Sequence, residues 1–212
     1  MAEVDSVTTE LELTGSTIRT PIVVSGRTEV AKGRVVASES IGPEGANYTH
    51  IIFVDGVVYG TRDPASGTFE IVTADTKDQQ LRAMYTALLG STNVPAFTSD
   101  TLILAKDLRE VGVEKINGSP VRKYTYDADL TAIDSSGLAE SNPQMAALLR
   151  GLLNADRQSI PYQLWVDDEG RQVRLVQEIT TAGVTVATSI TFGDFNTTEK
   201  ITAPDASQIV GG

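Results

Sequence analysis

The chain has 212 residues and no cysteine, and 28 acidic residues outnumber 17 basic ones for a formal charge of −11. That composition excludes a disulfide scaffold, a thiol nucleophile and Cys-based zinc or iron–sulfur sites, and the single histidine, His50, excludes a His-rich metal centre. An acidic surface lacks the cations that bind phosphate, which argues against nucleic acid as a partner and against attraction to an anionic bilayer.

The N-terminal part reads as strands. Val7, Thr9, Leu11 and Leu13 alternate with Thr8, Glu10 and Glu12, a period of two with one apolar face. Short apolar runs follow at Ile22 to Val24 and Gly33 to Ser40, broken by Gly26, Gly33 and the Gly42-Pro43-Glu44-Gly45 turn. Tyr48 to Val54 predicts a strand that Asp55-Gly56 turns back into Val57 to Gly60. After the Asp63–Gly67 turn comes Phe69-Glu70-Ile71, so the first 72 residues predict a β-meander.

A helix is expected next. Thr76-x-x-Gln79 has the form of a capping box, Leu81, Met84, Tyr85 and Leu88 make one stripe, and Gly90 can close the end. Ser99 to Asp107 suggests another turn or two of helix around Leu102 and Leu104. Strands return at Leu108 to Ile116 and Val121 to Leu130, flanking the hairpin signal Asn117-Gly118. A second helix is placed by Asn142 as N-cap and Pro143 at the first position, with Met145, Leu148, Leu149, Leu152 and Leu153 as its stripe.

Three final strands follow. Tyr162, Leu164 and Val166 turn through Asp167-Asp168-Glu169-Gly170 into Val173, Leu175 and Ile179. Beyond Ala182-Gly183, Val184, Val186, Thr188, Ile190 and Phe192 share a side. The order predicts an α+β fold in one domain, residues 1–212, with a large antiparallel sheet and a few helices on one face.

No enzyme signature is present: there is no phosphate-cradling loop, no dinucleotide-binding glycine pattern and no nucleophile elbow. His50 sits within a predicted strand, with nothing in the sequence to orient it as a triad member. Asp167, Asp168 and Glu169 fill a tight turn without calcium-loop spacing. Asp127 and Asp129 share one side of a strand and read as solvent-facing. The expectation is no catalytic residue, no metal ligand and no cofactor, so not an enzyme. What remains is an apolar inventory, which suits either a filled core or an adaptable binding surface.

Three stretches resemble a known family. Val113-Glu114-Lys115-Ile116-Asn117-Gly118-Ser119-Pro120-Val121-Arg122-Lys123-Tyr124-Thr125 resembles the I-N-G hairpin of actinobacterial envelope lipoproteins. Ile160-Pro161-Tyr162-Gln163-Leu164-Trp165-Val166-Asp167-Asp168-Glu169-Gly170-Arg171 is similar to their Pro-x-x-x-Trp-x-Asp strand and turn. Ile190-Thr191-Phe192-Gly193-Asp194-Phe195-Asn196 and Ala203-Pro204-Asp205 are similar to their penultimate strand and its exit. The family is the LppX/LprA/LprF/LprG type of mycobacterial lipoprotein, within the LolA/LolB-like superfamily.

The resemblance implies a curved antiparallel sheet forming an incomplete, half β-barrel wrapped around a few helices. Between sheet and helices it implies an apolar cavity that holds the acyl chains of a lipid or glycolipid. The residues expected to line it are Leu11, Leu13 and Ile52 from the first strands, and Met84, Leu88, Leu89 and Leu104 from the middle of the chain. Tyr124, Tyr126, Met145, Leu148, Leu149 and Leu152 follow, then Leu164, Leu175, Val186, Ile190 and Phe192. It further implies a monomer in the extracytoplasmic envelope, held by an N-terminal lipid anchor. This chain starts Met1-Ala2-Glu3 with neither apolar leader nor cysteine, and is expected to be a mature sequence cut just after that anchor. The alternative reading is a non-catalytic envelope interaction module whose apolar residues close into a filled core.

Overall fold

Alternating apolar and polar residues dominate the chain, and among the described residues they form twelve strands. A computed structural model describes residues 4–32, 34–43, 49–79, 81, 82, 85, 100–181 and 183–210. The strands are β1 Ser6–Gly15, β2 Ile18–Ala31, β3 Arg34–Ile41, β4 His50–Val54, β5 Val57–Thr61 and β6 Phe69–Ile71, then β7 Ala105–Ile116, β8 Ser119–Asp129, β9 Ser159–Val166, β10 Gln172–Thr181, β11 Val184–Gly193 and β12 Ile209–Val210. They join in the order β12-β6-β5-β4-β3-β2-β1-β11-β10-β9-β8-β7, an unclosed sheet with β12 and β7 at its edges. β2 to β6 and β7 to β11 pair antiparallel with their neighbours along the chain, and β12 runs parallel to β6. The α+β class and the mostly antiparallel sheet agree with the sequence reading.

Turn chemistry accounts for two of the hairpins. Asn117 and Gly118 take φ of 50° and 84°, and Asp55 and Gly56 take 52° and 79°. Both central residues of a type I′ turn need that left-handed backbone, and Asn-Gly and Asp-Gly supply it at least cost. Gly26, by contrast, marks no break, since β2 runs straight through it. A Cβ there would sit 2.8 Å from Thr9 Oγ1 and 2.9 Å from the Glu39 carbonyl oxygen, so glycine permits a close approach of neighbours instead.

Helix starts were partly legible. Asn142 Oδ1 accepts from the Met145 N–H at 3.1 Å and Pro143 opens the helix α2, Pro143–Asn154, as the sequence predicts. Such a cap is worth ~1 kcal/mol. At the first helix the cap is Asp78, whose side chain accepts from the Leu81 N–H at 3.0 Å, while Thr76 turns back to accept from the Thr73 N–H. Met84, Leu88 and Leu89 lie outside the described residues. Asp100–Leu104 is a 3₁₀ turn, and β7 starts directly after it at Ala105, earlier than Leu108. Another 3₁₀ turn, Leu130–Ser135, and the short helix α1, Leu138–Ser141, precede α2.

The chain divides into two compact units, and strands β1 and β2 run through both. One holds residues 11–21 and 97–192. Its core joins Tyr126, Ala128, Leu130, Ile133, Leu138, Ala146, Leu149, Ile160, Tyr162 and Leu164. The other holds 4–10, 22–96 and 193–212, and has two buried clusters. Ala37, Ile52, Val54, Phe69 and Ile201 form one, and Ile51, Phe53, Val58, Val72 and Leu81 form the other. Ile201 reaches its cluster from the C-terminal segment, where its N–H is held by the Glu29 carboxylate and Arg27 donates to the Glu199 carbonyl at 3.2 Å.

Candidate functional site

Register decides which apolar residues share a surface. Tyr124 and Tyr126 on β8 pair with Leu164 and Tyr162 on β9. Leu164 pairs in turn with Leu175 on β10. Leu175 and Ile179 pair with Ile190 and Val186 on β11. Because side chains alternate across a strand, these residues lie on one face, with Phe192 two positions beyond Ile190. Seven of the residues expected to line a site are thus brought together by β8–β11.

Helix α2 covers part of that face. Ala146 and Leu149 are fully buried against Tyr126, Ile160, Tyr162 and Leu164, with Met145, Leu152, Leu153, Leu175 and Ile179 packed around them. Over β8 and β9 the space is filled by side chains. Toward β11 the cover thins: Leu175, Ile179, Val186, Ile190 and Phe192 are all half-buried. The face therefore grades from closed core to accessible apolar surface.

The remaining expected residues scatter. Leu104 is buried in the same core, next to Tyr126 and Leu130. Leu11 and Leu13 are half-buried on β1. Ile52 packs in the second unit with Phe69 and Ile201. Leu148 departs from the stripe expected of α2, being 61% exposed. Ala146 and Leu149 point inward, and Leu148, one residue and 100° round the helix from Leu149, does not. Ile160, Ala128 and Ile179 belong to the face although they are not among the residues expected to line a cavity, Ala128 being grouped in the sequence only with Tyr124 and Tyr126 and Ile179 with Leu175. Their signal was the same two-residue alternation.

The buried part of the face carries a polar spot. Tyr126 and Tyr162 stack with centroids 5.2 Å apart and planes 8° from parallel, and the Thr101 and Tyr126 hydroxyls lie 2.8 Å apart. Burial pushes the Tyr162 phenol well above its ordinary value, so it stays neutral. At the far end of α2, an open groove of about 470 Å³ is lined by Leu152, Ala155, Asp156, Arg157, Gln158, Ser159 and Thr180.

The charged residues singled out in the sequence serve the scaffold. Asp129 accepts from the Thr131 N–H at 3.0 Å and pairs with Lys106 at 2.5 Å, and these partners hold its carboxyl below the ordinary value. It is buried rather than solvent-facing. Asp167 accepts from the Glu169 and Arg171 N–H groups and pairs with the Arg171 side chain, which closes the β9–β10 turn. On the opposite face of the sheet, Trp165 Nε1 donates to Glu114 at 2.8 Å, with Lys123 and Arg174 over its ring. His50 does have an orienting carboxylate, since its Nε2 donates to Glu39 at 2.7 Å and Arg27 pairs with the same Glu39. No group of three or more metal-ligating side chains occurs among the described residues.

Glu39 sets an acid limit. The hydrogen bond from His50, and then Arg27, hold its carboxyl below the ordinary 4.5. A depressed folded value adds stability above pH 4.5 that is lost as pH falls through the folded value. Glu39→Gln should therefore flatten the fall of Tm with acid below pH 4.5, as thermal unfolding across a pH series would show. An unchanged slope would mean the contact is not formed.

No protein-family model matches the chain, and no curated protein sequence matches it. Among solved structures, LprF from Mycobacterium bovis aligns at a TM-score of 0.55 with 16% identity, over 95% of this chain and 90% of that one. The Mycobacterium tuberculosis lipoprotein LppX gives 0.49 and 14%, over 94% and 90%. A LolA superfamily protein from Nitrosomonas europaea gives 0.31 and 8%, over 93% and 87%. The chain has the fold of LprF.

Proposed function

We propose that this protein binds acylated lipids or glycolipids at the cell envelope, outside the cytoplasm, as a carrier without catalytic chemistry. The observation that carries this reading is the apolar face of β8–β11, which continues past the cluster under α2 as half-buried Val186, Ile190 and Phe192. The LprF fold and the three sequence stretches support it. Shielding one CH₂ from water is worth ~0.8 kcal/mol, so a sixteen-carbon chain carries on the order of 12 kcal/mol. A lipid can leave a bilayer only if something supplies that shielding, and an accessible apolar surface supplies it without any fixed catalytic group. A monomer with an N-terminal lipid anchor in its native form completes the proposal.

Native mass spectrometry on protein expressed in an actinobacterial host tests it. Discrete added masses, lost on organic extraction and identified as acylated lipids, are expected. A clean apo mass with no uptake of offered lipids would overturn the carrier reading. It would favour the envelope interaction module, a reading supported by the side chains that fill the space between α2, β8 and β9.

A further inference from the structure

The apolar face ends, toward the β7–β8 turn, in a patch of different character. Val113 and Lys115 on β7 lie opposite Arg122 and Pro120 on β8. The two-residue spacing puts them on the same side as Tyr124 and Tyr126. All four are exposed, Val113 at 65%, and neither Lys115 nor Arg122 has an ion-pair partner among the described residues. Leu108 and Val111, at the two bulges of β7, are more than half exposed as well.

Charge separates this edge from the rest of the chain. Residues 105–124 carry five basic side chains against three acidic ones, within a chain of net −11. The whole-chain charge averages this local excess away, which is why composition argued against any anionic surface. Bulges twist β7 and make it a poor template for another strand. Aliphatic side chains flanked by lysine and arginine instead match a boundary where apolar groups enter acyl chains and cations meet anionic headgroups.

We propose that the β7–β8 hairpin is the docking edge of this protein for an anionic bilayer, an inference that rests on the lipid-binding reading above. Outside residues 105–124 acidic side chains outnumber basic ones, and the same bilayer repels them. Docking there brings the bilayer to the Tyr124 end of the apolar face, the end that α2 closes.

Flotation with vesicles of phosphatidylcholine alone, or mixed with phosphatidylglycerol, tests the proposal. The protein should float with the mixed vesicles, stay behind with the neutral ones, and be released by high salt. Lys115→Gln with Arg122→Gln should lower the partition about thirtyfold, from two lost cations. Val111→Ser with Val113→Ser should lower it at least tenfold. Both variants should keep the wild-type Tm and the uptake of a fluorescent fatty acid. Wild-type protein that ignores anionic vesicles, or variants that float like wild type, would overturn the proposal. So would a wild-type dimer that the valine variant dissociates, since the edge would then belong to a second copy. Loss of fatty-acid uptake by the wild type would sink the carrier reading, whatever the flotation result.

Discussion

Leu149→Ala should destabilise the protein by roughly 2–5 kcal/mol, and Ile190→Ala by about 1 kcal/mol, although both sit on one apolar layer. Leu149 is 2% exposed and touches the buried side chains of β8 and β9, so truncation leaves a cavity that its neighbours can fill only in part. Ile190 is half-buried, so water or a ligand takes the vacated space. Lipid binding should respond in the opposite sense. Ile190→Glu sets a charge where acyl chains would lie and should remove at least tenfold of the bound lipid, because an unpaired carboxylate against hydrocarbon is costly. Urea unfolding and native mass spectrometry on the same samples read both quantities. Equal stability losses at the two positions would mean that β11 is as closed as β8, and the site would have to be sought elsewhere.

Ile201→Ala should cost a comparable 2–5 kcal/mol, in the other unit. The side chain is 1% exposed and fills the cluster of Ala37, Ile52, Val54 and Phe69, so it acts as a core residue although no regular element carries it. Val210→Ala, on the terminal strand at 48% exposure, provides the contrast and should stay within ~0.5 kcal/mol. Limited proteolysis adds a local readout, since loss of Ile201 should expose the segment after Gly193 to cleavage before the rest unfolds. Two variants with the same urea midpoint would show that the segment is only laid on the surface.

What the sequence disclosed was mostly local. Asn117-Gly118, Asp55-Gly56 and Asn142-Pro143 each dictate a backbone within four residues, and each is found as expected. The first helix cap was misread because Thr76 and Asp78 are both good caps. Two residues apart, they compete, and the Thr73 N–H, three residues earlier in the same turn, takes the Thr76 hydroxyl. Gly26 was misread because a glycine that breaks a strand and one that admits a neighbour look alike until the neighbour is placed.

The candidate site divides in the same way. Alternation places Tyr124, Tyr126, Leu164, Leu175, Val186 and Ile190 each on one side of its own strand, and pairing then makes those sides a single face. Helix periodicity is weaker, since it admits Leu148 as readily as Leu149. Rotation of α2 is fixed by Ala146, fully buried and small enough to let the helix approach, and a small residue gives no hydrophobic signal. Alternation also shows that Ile52 faces a core without showing which one. The glutamate beside His50 was invisible for a plain reason, since cross-strand neighbours are not sequence neighbours.

The clasp of Ile201 on Glu29, 172 residues apart in the chain, has a consequence for biogenesis. A polypeptide leaving the ribosome N-terminus first exposes β2–β6 long before the segment that completes their core has been made. The other unit closes mainly through neighbouring hairpins and can condense as it emerges. The two halves of one small protein are therefore made on different clocks. During the interval, the strands around Ile52 and Phe69 are the surface a holding chaperone would have to cover.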